Sequence, residues 1–374
     1  MRILLTILIT IHGIIHLFGF LKAFGISEFN AMTQPISKPF GIIWLVAFIL
    51  FSTTLALFLS QHNSWWIVGL LAVLLSQFLI ITYWQDAKFG TSINLIVTVF
   101  ILIAYSSFGF IKKVNDETAQ MLASSKPSKQ VIVSEKMIKN LPTIVQKWVM
   151  NSGILGKELV HHVYLEQDAQ MLMKPEQKDW SSAKARQYFT IEPPAFNWRV
   201  NLTMKKVLSL VGRDRFENGK GEMTIKLFSL IPVVNAKNSE KINQATLQRY
   251  LAEIVWFPSA ALSRYVTWEP VDDSSARATM EYNGTKGSGV FYFDEKGNFE
   301  KFVAMRFKDA HDTEPTQWSV IATKSEEING IKIPVEAKAN WKLKNGEWTW
   351  LKLKITNITH NTQKISMSNG TKKP

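Results

Sequence analysis

The chain has no cysteine. That excludes thiol nucleophiles, zinc–thiolate sites, iron–sulfur clusters and a disulfide-stapled secreted scaffold. Charge of either sign is also missing over one long stretch: no Asp, Glu, Lys or Arg occurs between Lys38 and Asp86. A soluble helix cannot be built that way, because one of its faces must meet water. The first 112 residues hold only Arg2, Lys22, Lys38, Lys88 and Lys112 as bases, with Glu28 and Asp86 as acids. The familiar nucleotide, zinc-protease and serine-hydrolase signatures are absent too: no Walker loop, no G-x-G-x-x-G, no H-E-x-x-H and no G-x-S-x-G.

What is there divides in two. Ile3–Leu21, Gly41–Leu59, Trp66–Tyr83 and Ile93–Ile111 are apolar runs. Each approaches the ~20 residues that a helix needs to cross ~30 Å of hydrocarbon. Trp44, Trp65, Trp66, Tyr83 and Trp84 lie near the ends of these runs, where amphipathic rings favour the headgroup layer. The sequence therefore predicts a four-helix transmembrane domain over residues 1–112. The alternative for the first run is a signal peptide, but no small-x-small cleavage site follows it. Four crossings put both termini on one side. Arg2, Lys112, Lys113, Lys126 and Lys129 on that side against Lys22, Lys38 and Lys88 on the other favour cytoplasmic termini by a small margin.

His12 and His16 share one face of the first run. A haem, metal or proton site is one reading of two intramembrane imidazoles. The favoured reading is interhelical hydrogen bonding, since no histidine or carboxylate in the other three runs offers a further ligand.

Polar residues from Asn115 to Gln130 predict a flexible tether, with the linker placed at 113–134. A β-rich domain is expected over 135–374. It opens with a short amphipathic helix, in which Leu141, Ile144, Val145, Trp148 and Val149 recur at helical spacing, Pro142 suits the first turn and Gly153 the stop. The period then changes to two. Ala276, Ala278, Met280 and Tyr282 alternate with polar residues, as do Ala337, Ala339, Trp341 and Leu343. Asn283-Gly284, Asn329-Gly330 and Asn345-Gly346 mark hairpin turns. About ten strands between Val160 and Ile358 follow from this pattern. The expected fold is a membrane helical bundle joined to an α+β, mainly antiparallel unit: a curved, half-barrel-like meander with its strands in sequence order. One helix interrupts it, over 242–257, ended by Pro258 and packed on the concave face.

From Leu141 onward the chain resembles a family of bacterial proteins known as a domain of unknown function. The matching segments include Leu141-Pro142-x-x-Val145-x-x-Trp148, Ala185-Arg186-Gln187, Gly212-Arg213-Asp214-Arg215 and Arg249-Tyr250-Leu251-Ala252-Glu253-x-x-Trp256-Phe257-Pro258. The resemblance implies a membrane-associated bacterial protein with a β-rich domain, and it supplies no activity.

Arg249 and Glu253 stand at i, i+4, with Trp256 a further turn on. They read either as a general acid or base beside an anion-holding guanidinium, or, with more weight, as a structural ion pair. Arg213, Asp214 and Arg215 precede a turn and are candidates for a phosphate or lipid headgroup, with a solvated strand end as the commoner outcome. Trp198 and Trp268 belong to nine tryptophans after residue 140; most read as core or cross-strand pairs, and the alternative for so many is a concavity for acyl chains or rings. His161 and His162 face opposite sides of a strand and cannot share a metal. Asp309, His311, Asp312 and Glu314 fit no metal motif. No cofactor and no metal are expected. The net charge of +13 is spread among acidic residues, which favours anionic lipid headgroups over nucleic acid. The sequence thus points to a multi-pass protein of a bacterial inner membrane that binds a lipophilic or amphipathic ligand. An enzyme acting on a membrane-derived substrate through Glu253 and Arg249, and a non-catalytic assembly module, are the alternatives.

Overall fold

The computed structural model describes residues 2–125, 130–205 and 208–361. The chain divides into two compact units, residues 1–111 and 112–374.

The first unit is helical. Its elements are α1 (Arg2–Ala23), α2 (Lys38–Leu59), α3 (Trp65–Thr82), a short α4 (Trp84–Ala87) and the start of α5 (Gly90–Ser124). All but α4 are long and apolar enough to cross a membrane. Their outward surface is greasy: Ile3 is 78%, Phe89 79% and Leu95 66% exposed. The inward surface carries small and polar groups. Gly19 lies directly against the Trp44 ring, and Gly13 leaves room for Phe51, which is how helices approach closely in lipid. His12 Nε2 bonds to Ser76 Oγ at 3.1 Å and Asn94 Oδ1 at 3.0 Å, and His16 Nε2 bonds to Ser76 Oγ at 2.9 Å. The two histidines are interhelical hydrogen-bonding groups tying α1 to α3 and α5.

In the second unit the expected tether is partly helix. α5 continues through Ser124 because Val114, Thr118, Met121 and Leu122 recur at helical spacing and are buried. The lysines and acids that made this stretch look like linker pair along the helix instead, Lys112 with Asp116 at 2.6 Å. Lys126, Pro127, Ser128 and Lys129, also assigned to the tether, lie outside the described residues. The short α6 (Glu135–Ile138) and the amphipathic α7 (Thr143–Asn151) follow.

Thirteen strands then form one antiparallel sheet. The first six are β1 (His162–Met171), β2 (Ser181–Thr190), β3 (Ala195–Met204), β4 (Leu208–Glu217), β5 (Lys220–Leu227) and β6 (Ile231–Ala236). Helix α8 (Glu240–Glu253) and two 3-10 turns, Ile254–Trp256 and Pro258–Leu262, come next. The remaining strands are β7 (Val266–Asp272), β8 (Ser275–Tyr282), β9 (Thr285–Phe293), β10 (Phe299–Arg306), β11 (Thr316–Ile328), β12 (Ile331–Leu343) and β13 (Gly346–His360).

The strand order corrects the expectation of a meander in sequence order. Two meanders, β1–β6 and β13–β7, are joined where β1 pairs with β13, with Val163 opposite His360. No local turn signal can announce a pairing of strands that far apart in sequence. The sheet is open, with β6 and β7 as its edges. Thirteen strands exceed the expected count of about ten, and the edge strands carry the weakest pattern. They are largely exposed and show no clean alternation, as solvated edge strands do.

α8 packs against β4 and β5 of one meander and β8, β9 and β10 of the other. The sheet therefore curls until both arms reach the same helix. The β4–β5 turn meets the β8–β9 turn, where Thr285 Oγ1 donates to the Gly219 carbonyl at 2.6 Å. Inside the curl, α7, α8 and the 3-10 turns fill a core built on Phe189, Phe196, Phe216, Tyr250, Phe257, Phe291 and Phe302. A second apolar cluster continues along the same face: Ala169, Ala183, Ala185, Val200, Leu202 and Leu210 share strand parity with the core residues Leu165, Phe189, Phe196 and Phe216. Every residue of that second cluster, including the half-buried Met171, Met204, Ile225, Leu227, Leu351 and Leu353, lies on a strand.

Candidate functional site

Strand parity delivers polar side chains onto this otherwise apolar concave face. Gln167 follows Val163 and Leu165 on β1; Gln187 lies between Ala185 and Phe189 on β2; Asp214 lies between Gly212 and Phe216 on β4. On β10, Phe302 and Ala304 are followed in the same register by Arg306. Each of these groups would be costly if buried alone.

They meet the polar face of α8. Arg249 Nη1 lies 2.6 Å from Asp214 Oδ2, and its Nε lies 2.9 Å from Glu253 Oε1. Glu253 Oε2 accepts from Gln187 Nε2 at 2.7 Å. Both oxygens of Glu253 are therefore engaged. Burial pushes the Glu253 carboxyl above its ordinary range, and Arg249 and Gln187 oppose that rise. The Arg249 guanidinium also lies over Trp198, 4.7 Å from the ring centre, and over Phe196 at 5.0 Å. Trp198 in turn donates from Nε1 to Gln167 Oε1 at 2.9 Å. It packs against both apolar clusters, so it stands where the filled core gives way to the strand-only shelf.

Arg306 completes the cluster from the other arm. Its Nε donates to the Ala245 carbonyl of α8 at 2.8 Å. Its guanidinium lies 4.6 Å from the Trp318 ring centre and 5.8 Å from that of Trp341. No carboxylate among the described residues forms an ion pair with it. Burial lowers its pKa to about 10, against the pull of Asp214 and Glu253. Trp318, Trp341 and Trp348 are register partners across β11, β12 and β13. Several buried polar atoms here have no hydrogen-bond partner among the described residues: Asp214 Oδ1, Gln187 Oε1, and Nε1 of Trp318, Trp348 and Trp350.

Of the residues singled out from the sequence, Arg249, Glu253, Asp214 and Trp198 come together. Arg213 does not. It points to the opposite face of β4, where Glu117 of α5 accepts at 2.9 Å and Glu222 at 2.6 Å. Alternation separates it from Asp214, and its ion pairs fasten α5 to the sheet. Trp256 is a core residue whose Nε1 donates to the Pro334 carbonyl at 3.0 Å. Trp268 packs on Phe291 and donates to the Ala261 carbonyl at 3.0 Å. Sequence reasoning missed Arg306, Gln187 and Gln167 as members of the site and had Trp318 and Trp341 only within the set of nine tryptophans. The available signal was parity: a charged or amide side chain at an apolar strand position. The Asp309–Glu314 loop is held by its own backbone, with Asp312 Oδ2 accepting from Lys308 and Asp309 N–H groups at 2.7 and 2.9 Å. Among the described residues no group of three or more His, Asp or Glu is arranged to hold a metal.

Two surface depressions lie elsewhere. One of about 450 Å³ is lined by Lys147, Asp273, Asp294 and Glu300 among others. The other, about 750 Å³, is lined largely by outward members of the strand alternation, including Lys184, Lys338, Lys352 and Lys354. No member of the polar cluster lines either, whereas Ala169, Ala183 and Leu353 of the second apolar cluster border the larger one.

The model of one family of unknown function, DUF6544, matches residues 131–353. The chain belongs to that family. The match covers the whole sheet except the end of the last strand, together with α6, α7, α8 and every member of the polar cluster. No curated protein matches the sequence. Three solved structures are distantly similar. A DUF1329 family protein from Desulfovibrio piger is 10% identical, covering 55% of this chain and 88% of its own, with a TM-score of 0.34. A LolA superfamily protein from Nitrosomonas europaea is 9% identical, covering 58% and 91%, with a TM-score of 0.29. A β-barrel-like protein of the DUF1849 domain from Brucella abortus is 10% identical, covering 55% and 99%, with a TM-score of 0.23.

Proposed function

We propose that this DUF6544 protein is a multi-pass membrane protein whose β-rich unit holds an amphipathic molecule on its concave face. The membrane part of the reading rests on the four apolar helices and their exposed Ile, Leu and Phe side chains. Contiguous apolar surface of that kind is stable in lipid and a liability in water. The organism class and compartment implied by the sequence resemblance, a bacterial inner membrane with cytoplasmic termini, belong to the same proposal.

One observation carries the binding part. The core's apolar face runs on as a second cluster, a shelf made of strand residues alone, with Ala183 and Leu202 each 4% exposed. A sheet ordinarily buries such a face against a second layer. At its inner end the shelf meets Arg249, Asp214, Glu253 and Arg306, with Trp198 forming the join. An apolar floor that ends at a charged cluster walled by tryptophans suits a molecule with a hydrocarbon part and a polar head. The catalytic alternative finds less support, because both oxygens of Glu253 are tied to Arg249 and Gln187.

The test is the small-molecule content of the full chain purified from membranes in lipid nanodiscs. Extraction and mass spectrometry should recover an amphiphile in excess over scaffold lipid. Ala183→Phe, which raises a ring from the shelf floor, should reduce that recovery several-fold without loss of the folded protein. Equal recovery from both proteins would overturn the proposal.

A further inference from the structure

Arg306 and three tryptophans near it carry N–H groups that no described residue accepts from. The guanidinium spends Nε on the Ala245 carbonyl, and no described residue accepts from its remaining N–H groups. Trp318 is 4% exposed, lies beneath that guanidinium, and has an Nε1–H with no acceptor. Trp348 and Trp350 add two more buried indole N–H groups in the same condition. Trp348 belongs to the indole row that begins at Trp318. Lys308 brings another cation to this wall, its Nζ lying 5.7 Å from the Trp341 ring centre.

Buried donors are almost always satisfied, and each exception calls for a reason. Indole and guanidinium groups can only donate. What this set of donors lacks is an acceptor. The group that answers it is rich in acceptors and carries negative charge, because charge-assisted hydrogen bonds to a guanidinium are about twice as strong as neutral ones. The stacking of Arg306 on Trp318 and Trp341 holds the guanidinium plane in place before any ligand arrives. On the other arm of the sheet Asp214 and Glu253 are already committed to Arg249, so Arg306 is the cation left to meet a ligand.

We propose that the amphiphile's head is an oxyanion, a carboxylate or a phosphate, received by Arg306 and the unpartnered indole N–H groups of Trp318 and its neighbours on β13. This rests on the reading of the concave face as an amphiphile site and names the ligand's chemical class.

The test compares four probes by isothermal titration of the full chain in phosphatidylcholine nanodiscs, each corrected against empty discs: palmitate, hexadecyl phosphate, methyl palmitate and inorganic phosphate. Palmitate or hexadecyl phosphate should bind about tenfold or more tightly than methyl palmitate, and whichever does so identifies the head. Inorganic phosphate alone should bind weakly, because it lacks the chain. Arg306→Gln should erase the preference by lowering charged-amphiphile affinity far more than methyl palmitate affinity, and Arg306→Lys should restore part of it. Trp318→Phe, which keeps a ring and removes the N–H, should lower charged-amphiphile affinity several-fold and ester affinity less, so a misfolded Arg306 variant does not end the test. Equal affinity for charged and uncharged amphiphiles would overturn the oxyanion and leave the concave-face reading standing. Tight binding of inorganic phosphate alone would replace the amphiphile with a free anion. Failure of every probe would remove both.

Discussion

Residue by residue, the second unit is held together where its polar groups meet. Arg249 neutralises two nearly buried carboxylates at once. Removing one partner of a buried pair leaves uncompensated charge, which typically costs about 3–5 kcal/mol. Arg249→Ala should therefore destabilise the folded chain by about that amount in chemical denaturation. A loss under about 1 kcal/mol would show the network to be dispensable. Of this network the sequence displayed only the half within one helix. Arg249 and Glu253 are four residues apart and legible as a pair, whereas Asp214 joins them only because β4 lies beneath α8. Arg213, its neighbour in sequence, looked equivalent and faces the other way. Two histidines add a dependence on pH. His162 Nε2 bonds to the Ser125 carbonyl at 2.6 Å and His360 Nε2 to the Trp256 carbonyl at 2.9 Å. Burial is the first cause that lowers both imidazoles below their ordinary value. A lowered folded-state value means that the unfolded chain takes up protons first as pH falls. Stability should be level above about pH 7 and should decline as pH drops through about 6.5. His360→Gln should flatten that decline in thermal melts taken from pH 8 to pH 5, and an unchanged slope would contradict the assignment.

Among the elements, α8 is the one on which the curl of the sheet depends. It can touch both arms because two strand positions beneath it lack a side chain. A Cβ at Gly221 would come within 2.8 Å of the Ile242 carbonyl and strike Thr246, and one at Gly287 would lie 2.9 Å from Leu247 and Gln248. Gly221→Ala should force the helix off β5 and destabilise the chain by about 1–3 kcal/mol. A neutral effect in thermal unfolding would mean that α8 is not the clamp between the arms. The helix itself was readable from its apolar spacing and from Pro258, and most strands from their alternation and Asn-Gly turns. The union of β1 with β13 was not readable, because pairing between the two ends of a domain leaves no mark on either strand. The continuation of α5 to Ser124 was obscured for a different reason. Its apolar residues are spaced for a helix, but lysines and acids between them lower the mean hydropathy to that of a linker.

The molecule as a whole joins two kinds of surface. One unit presents hydrocarbon outward from apolar helices. The other turns hydrocarbon inward on a concave sheet, filled at one end by helices and covered only by strand residues at the other. Composition announced the first kind at once, since a charge-free run from Lys38 to Asp86 suits few environments other than lipid. The second kind could not be seen in composition, because a floor of alanine, valine and leucine reads like any strand until its neighbours are found to be strand residues alone. Whether that floor meets a hydrocarbon chain is the central claim. The most direct measurement is quenching of tryptophan emission in the full chain, held in unlabelled phosphatidylcholine nanodiscs, by a palmitate brominated near its methyl end. The account predicts saturable quenching that competes with unlabelled palmitate and falls sharply in Trp198→Phe, because Trp198 stands at the head of the shelf. Emission that is untouched, or that quenches equally in Ala183→Phe and without saturation, would contradict it.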